Sequence, residues 1–74
     1  MSALAALLTD RDALSTAERE GWDAYLKHTS SRQQWPPFAE TERFRSYEVG
    51  FELAEAWAGR VGMHRFLSMA RGAA

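Results

Sequence analysis

The sequence contains no cysteine, so neither a disulfide nor a thiolate metal site can staple the fold. That absence fits a reducing compartment. Strand signatures are missing as well: no period-two alternation is sustained, and β-branched residues are few. A basic surplus is also lacking, since nine Lys and Arg stand against ten Asp and Glu for a net charge of −1. Strong nucleic-acid binders usually carry a clear positive balance, so any such contact here must use a local patch. There is no G-x-x-x-x-G-K-[ST], no H-E-x-x-H and no cysteine nucleophile. His28 and His64 lie far apart, without ligand spacing between them. The expectation is a non-enzymatic protein with no metal and no cofactor. Long hydrophobic runs are absent too. The opening "MSALAALL" is too short to span a bilayer and no basic residue precedes it, which reads as a soluble, cytoplasmic protein with no membrane contact.

What is present is the material for a dense small core. Of 74 residues, 46% are hydrophobic, with three Trp, two Tyr and four Phe among them. One domain of this size buries roughly 60% of its unfolded surface, so stability is marginal unless packing is tight. Four helical segments are expected. Ser2 caps a short first helix with Leu4, Leu7 and Leu8 pointing one way, and Thr9 to Asp12 read as a turn. Ser15-Thr16-Ala17-Glu18 is a capping box that opens a second helix to about His28. Pro36-Pro37 forbids helix in "TSSRQQWPPF". A third helix should run from about Glu40 to Gly59. A bend at Gly59 and Gly62 then leads to a last helix carrying Met63, Phe66, Leu67 and Ala70, closing near Gly72, with one long helix as the alternative. The fold class is thus all-α: two central helices joined by the Trp-Pro-Pro-Phe loop, with short helices at both ends, in a single domain.

Two glycines interrupt the central helices. Gly21 and Gly50 should each cost about 1 kcal/mol relative to alanine. Each falls on a ridge of small residues spaced by four: Ala13, Ala17, Gly21, and Ser46, Gly50, Ala54, Ala58, Gly62. Ridges of that kind let two helix backbones cross closely. Trp22 and Phe51, the residues after the glycines, are expected to close over the crossing, and Trp57 to be buried beside them.

Charge is unevenly distributed. Residues 1–55 hold all ten acids and six basic residues, whereas residues 56–74 hold Arg60, Arg65 and Arg71 with no acid. The stretch from Ala24 to Ala39 is also acid-free and holds Lys27 and Arg32. Arg43 and Arg45 flank Phe44; the plain reading is a core Phe44 with arginines paired to Glu40, Glu42, Glu48 or solvent. Glu48, Glu52 and Glu55 share the polar side of the third helix, where a solvated row is the plain reading and docking onto a basic protein surface the sharper one.

Gly21-Trp22-x-Ala24, Pro37-Phe38 and Tyr47-x-x-Gly50-Phe51 together resemble the ribosome modulation factor family. Its members carry a Gly-Tyr-x-Ala-Gly stretch, a Cys-Pro-Tyr loop and a Trp-x-x-Gly-Trp stretch. The likeness covers roughly residues 17–58, with the Pro37-to-Gly50 spacing matched without a gap and a longer loop in the first half. The family's cysteine is absent, Tyr25 stands in place of its second glycine, and the family is strongly basic where this chain is slightly acidic. The resemblance implies a two-helix scaffold built on Gly21, Trp22, Pro37, Phe38, Tyr47, Gly50 and Phe51. It also implies binding to the small ribosomal subunit, RNA and protein, near the anti-Shine–Dalgarno region, with translation turned down as ribosomes hibernate in pairs. Lys27, Arg32, Arg43 and Arg45 are the candidate contacts for that role. The alternative is a phage or mobile-element protein of the same fold that binds and inhibits a host protein complex. It would act through Glu48, Glu52 and Glu55 or through Arg60, Arg65 and Arg71. A homodimer formed by the terminal helices is the third possibility.

Overall fold

A computed structural model describes residues 2–27 and 42–72, which form four helices and no strand. They are α1 (Ala3–Asp12), α2 (Thr16–Lys27), α3 (Glu42–Val61) and α4 (Met63–Gly72). The expected Trp-Pro-Pro-Phe loop, with Arg32, Pro37 and Phe38, lies outside the described residues, as do His28 and Glu40.

Local chemistry explains the boundaries. Ser2 caps α1, its hydroxyl accepting the Ala5 amide at 3.1 Å. The turn expected at Thr9 to Asp12 is instead the last turn of α1. Thr9 turns its hydroxyl back onto the Ala5 carbonyl at 2.9 Å, satisfying it inside the helix, and Arg11 suits the negative end of the helix. The expected capping box is formed: the Ser15 amide donates to the Glu18 carboxylate at 2.7 Å and the Glu18 amide to the Ser15 hydroxyl at 3.3 Å. Gly59 does not end α3; it sits inside the helix with open space beside it. The stop is Gly62, whose φ of 94° suits only glycine. The Gly62 amide donates to the Ala58 carbonyl, closing α3, and its carbonyl accepts the Phe66 amide, opening α4, both at 2.9 Å.

The most extensive interface is between α2 and α3. Gly21 lies against Tyr47 and Gly50 against Glu18, so the two helices run antiparallel where they cross. A Cβ on Gly21 would overlap the Tyr47 carbonyl oxygen and stand 2.9 Å from the Phe51 amide nitrogen. A Cβ on Gly50 would overlap the Glu18 carbonyl oxygen. Each glycine therefore faces the carbonyl three residues before the other, and both obstructions are backbone, which no rotamer change can relieve.

Around this crossing the core is aromatic. Trp22 and Phe66 are fully buried and meet edge to face with centroids 5.6 Å apart. Tyr25 lies perpendicular to Phe51 at 5.1 Å. Leu7 from α1 and Phe66 and Ala70 from α4 complete the cluster, so both terminal helices are parts of the core. Leu4 is the exception in α1, being 43% exposed while Leu7 is buried.

Gly21→Ala and Gly50→Ala are each expected to destabilise by about 1–3 kcal/mol, the usual range for overpacking, with the upper end favoured because backbone must move. Alanine's helix propensity acts in the opposite direction by about 1 kcal/mol. Thermal melts decide it, and a raised Tm for either variant refutes the close crossing.

Candidate partner interfaces

The residues expected at a binding site fall into three groups on the described surface. The first is the scaffold set. Gly21, Trp22, Tyr47, Gly50 and Phe51 are all buried at the contact between α2 and α3. Tyr47 and Phe51 stack one turn apart at 6.5 Å. Burial raises the Tyr47 phenol above 10.0, with the Glu20 charge adding to it; burial and then Glu55 raise that of Tyr25 in the same way. Both phenols are therefore neutral at neutral pH. The Tyr25 hydroxyl donates to the Met63 sulfur at 3.8 Å, joining α2 to the start of α4. The Trp22 indole nitrogen is buried with no hydrogen-bond partner among the described residues.

The second group is the cations, and most have intramolecular work. Arg43 pairs with Glu20 of α2 at 2.7 Å, a partner none of the local readings named. Arg19 bonds the Arg11 carbonyl at 3.1 Å and pairs with Asp12 at 3.6 Å, tying α1 to α2. Arg60 lies over the Trp57 ring, 4.5 Å from its centroid. Arg71 donates to the Leu26 carbonyl at 3.0 Å, so it satisfies one of the last carbonyls of α2. Lys27, Arg45 and Arg65 are exposed. Arg45 sits three residues from both Glu42 and Glu48 on the helical surface, so its field is opposed by acids of its own helix.

The third group is the acidic row of α3. Glu52 and Glu55 are exposed and Glu48 is half-buried. Val49, 50% exposed, stands among them as the most exposed large apolar side chain of that helix.

Trp57 belongs to none of these groups. It is 2% exposed, and its indole N–H donates to the Asp10 carboxylate at 2.9 Å. Sequence reading marked Trp57 as buried but not its link to α1, since no local pattern connects residues 47 positions apart. A cleft of about 270 Å³ runs along α2, lined by Leu14, Thr16, Arg19, Glu20 and Asp23. Arg19 and Glu20 are engaged with Asp12 and Arg43 there, and the lining holds no nucleophile–base pair. Among the described residues no group of three His, Cys, Asp or Glu could hold a metal ion, and no helix is long and apolar enough to cross a membrane. No protein-family model, curated protein or solved structure matches the chain.

Trp57→Ala is expected to cost about 3–5 kcal/mol, enough to unfold much of a marginal domain. Asp10→Ala should cost about 1–3 kcal/mol because the buried indole N–H loses its acceptor, and Asp10→Asn should recover most of that loss. Denaturant titrations of the three variants check both; a Trp57→Ala protein as stable as the parent would make Trp57 a surface anchor rather than a core residue.

Proposed function

We propose that the chain is a non-enzymatic binding protein of the ribosome-modulation-factor type, which docks on the small ribosomal subunit and lowers translation. What supports the reading is the convergence of the described motif residues on one structural feature. Gly21 and Gly50 make the crossing, and Trp22, Tyr47 and Phe51 are buried against it. A motif whose parts build one helix pair acts as a unit, as a shared scaffold requires. Fold alone does not fix a partner. The partner in this proposal comes from the resemblance, and the contact from Lys27 and Arg32, which lie in the acid-free stretch of that region.

A second reading is favoured by the acidic row. Glu48 and Glu52, one turn apart, with Val49 to one side of them, form a face suited to a basic surface on a host protein complex, which the chain would inhibit. The pairing of Arg43 with Glu20 favours the same direction, because it leaves one cation fewer for phosphate.

Co-sedimentation with purified small ribosomal subunits separates the two. The ribosome reading expects binding that weakens steeply with salt. It also expects loss of binding in Lys27→Glu/Arg32→Glu, with a circular dichroism melt checking that the variant is folded. A wild-type protein that stays in the supernatant at moderate salt overturns that reading. The second reading expects Glu48→Lys/Glu52→Lys to lose a protein partner that the wild type retains in a pull-down from bacterial lysate.

A further inference from the structure

We infer that the outer face of α4, joined by Lys27 at the end of α2, is a surface for RNA phosphates; the inference rests on the small-subunit reading and moves its contact away from Arg43 and Arg45. α4 contains no acidic residue. Phe66 and Ala70 point into the core, while His64, Arg65, Ser68 and Arg71 are exposed. At 100° per residue those four fall within an arc of about 120°, a single face. The Arg71 bond to the Leu26 carbonyl brings the last turn of α4 to the end of α2, where Lys27 is the next residue. That bond engages one of five guanidinium N–H donors, so the rest of the fork stays available.

The sign of the surroundings supports the assignment. Arg43 and Arg19 are paired with acids, Arg60 lies on Trp57, and Arg45 is flanked by Glu42 and Glu48. Lys27, Arg65 and Arg71 make no ion pair among the described residues. Among the described residues two acids bound the patch. Asp23 lies one turn before Lys27, and Glu55 acts on the Tyr25 phenol, whose hydroxyl meets Met63 at the far end of α4 from Arg71.

Phosphate is the better-fitting occupant than an acidic protein surface. Arginine forks match phosphate oxygens in pairs, and the Ser68 hydroxyl between the arginines adds a neutral donor of the kind that positions a nucleic-acid backbone. Arg71 lies six positions after Arg65, about 9 Å along the helix, so they serve different phosphates. The face has no central apolar anchor such as a protein hot spot needs, because Leu67 and Met69 are turned half inward. α4 also lies beyond the stretch that resembles the known family, so it supplies charge that the resembling region lacks.

The test is binding of the full chain to a short fluorescent single-stranded RNA and to purified small ribosomal subunits, between roughly 50 and 200 mM salt. Lys27→Gln and Arg65→Gln should each reduce the slope of log affinity against log salt by about 0.7, and by about 1.4 together. Arg45→Gln should leave it unchanged. Circular dichroism melts confirm that each variant is folded. Subunit binding with an unchanged slope in the double variant overturns this inference and leaves the ribosome reading standing. RNA binding with the expected slope but no subunit binding supports this surface and overturns the ribosome reading. Binding to neither probe overturns both. Subunit binding that ignores salt and is lost in Glu52→Lys assigns the contact to protein and overturns the inference.

Discussion

The fold depends on a backbone contact between two helices. At Gly21 and Gly50 the place of a side chain is taken by a carbonyl oxygen of the other helix. A Cα hydrogen fits there, and such Cα–H···O contacts are individually weak. Their importance is geometric, because they set how near α2 and α3 can come. That separation in turn fixes where Trp22, Tyr25 and Phe51 project, and so where Phe66 of α4 can insert. Relaxing the crossing would separate the aromatic faces in a domain too small to build a second core.

Local chemistry and small-residue spacing made most of the fold readable before any coordinates. The capping box at Ser15 and the cap at Ser2 are formed as expected, and Gly21 and Gly50 make the close approach that their ridges signalled, although Ala13 caps α1 and Gly62 ends α3, so neither extends its ridge. Thr9 was misleading because its hydroxyl has two uses, in a turn or back-bonded within a helix, and only the surroundings select between them. Gly59 and Gly62 look alike in sequence, but only Gly62 takes a positive φ. The links from Arg43 to Glu20, Trp57 to Asp10 and Arg71 to Leu26 span 23, 47 and 45 residues and leave no local trace. The first of them pairs Arg43 with an acid, and contacts of that kind decide which cations are available to a partner, so the site was less legible than the fold.

Scaffold and surface consequently carry different information. The described motif residues that suggest a family, Gly21, Trp22, Tyr47, Gly50 and Phe51, are inside, where they specify packing. The charges that would choose a partner are outside, and they are unevenly spread: α3 carries four acids beside three arginines, whereas α4 carries two arginines and no acid. A chain can retain the first while exchanging the second, because exposed positions alter stability little.

The joint between α3 and α4 makes the two layers interdependent in one respect. Gly62 is the stop of one helix and the first carbonyl acceptor of the next, so no slack residue lies between them. A single inserted residue there would turn α4 by about 100° about its own axis. Phe66 would leave the core and Arg65 would take the direction it vacates. Loop length at this point is therefore quantised: chain-length variation can accumulate elsewhere, whereas at Gly62 an insertion or deletion exchanges the inside of a helix for its outside.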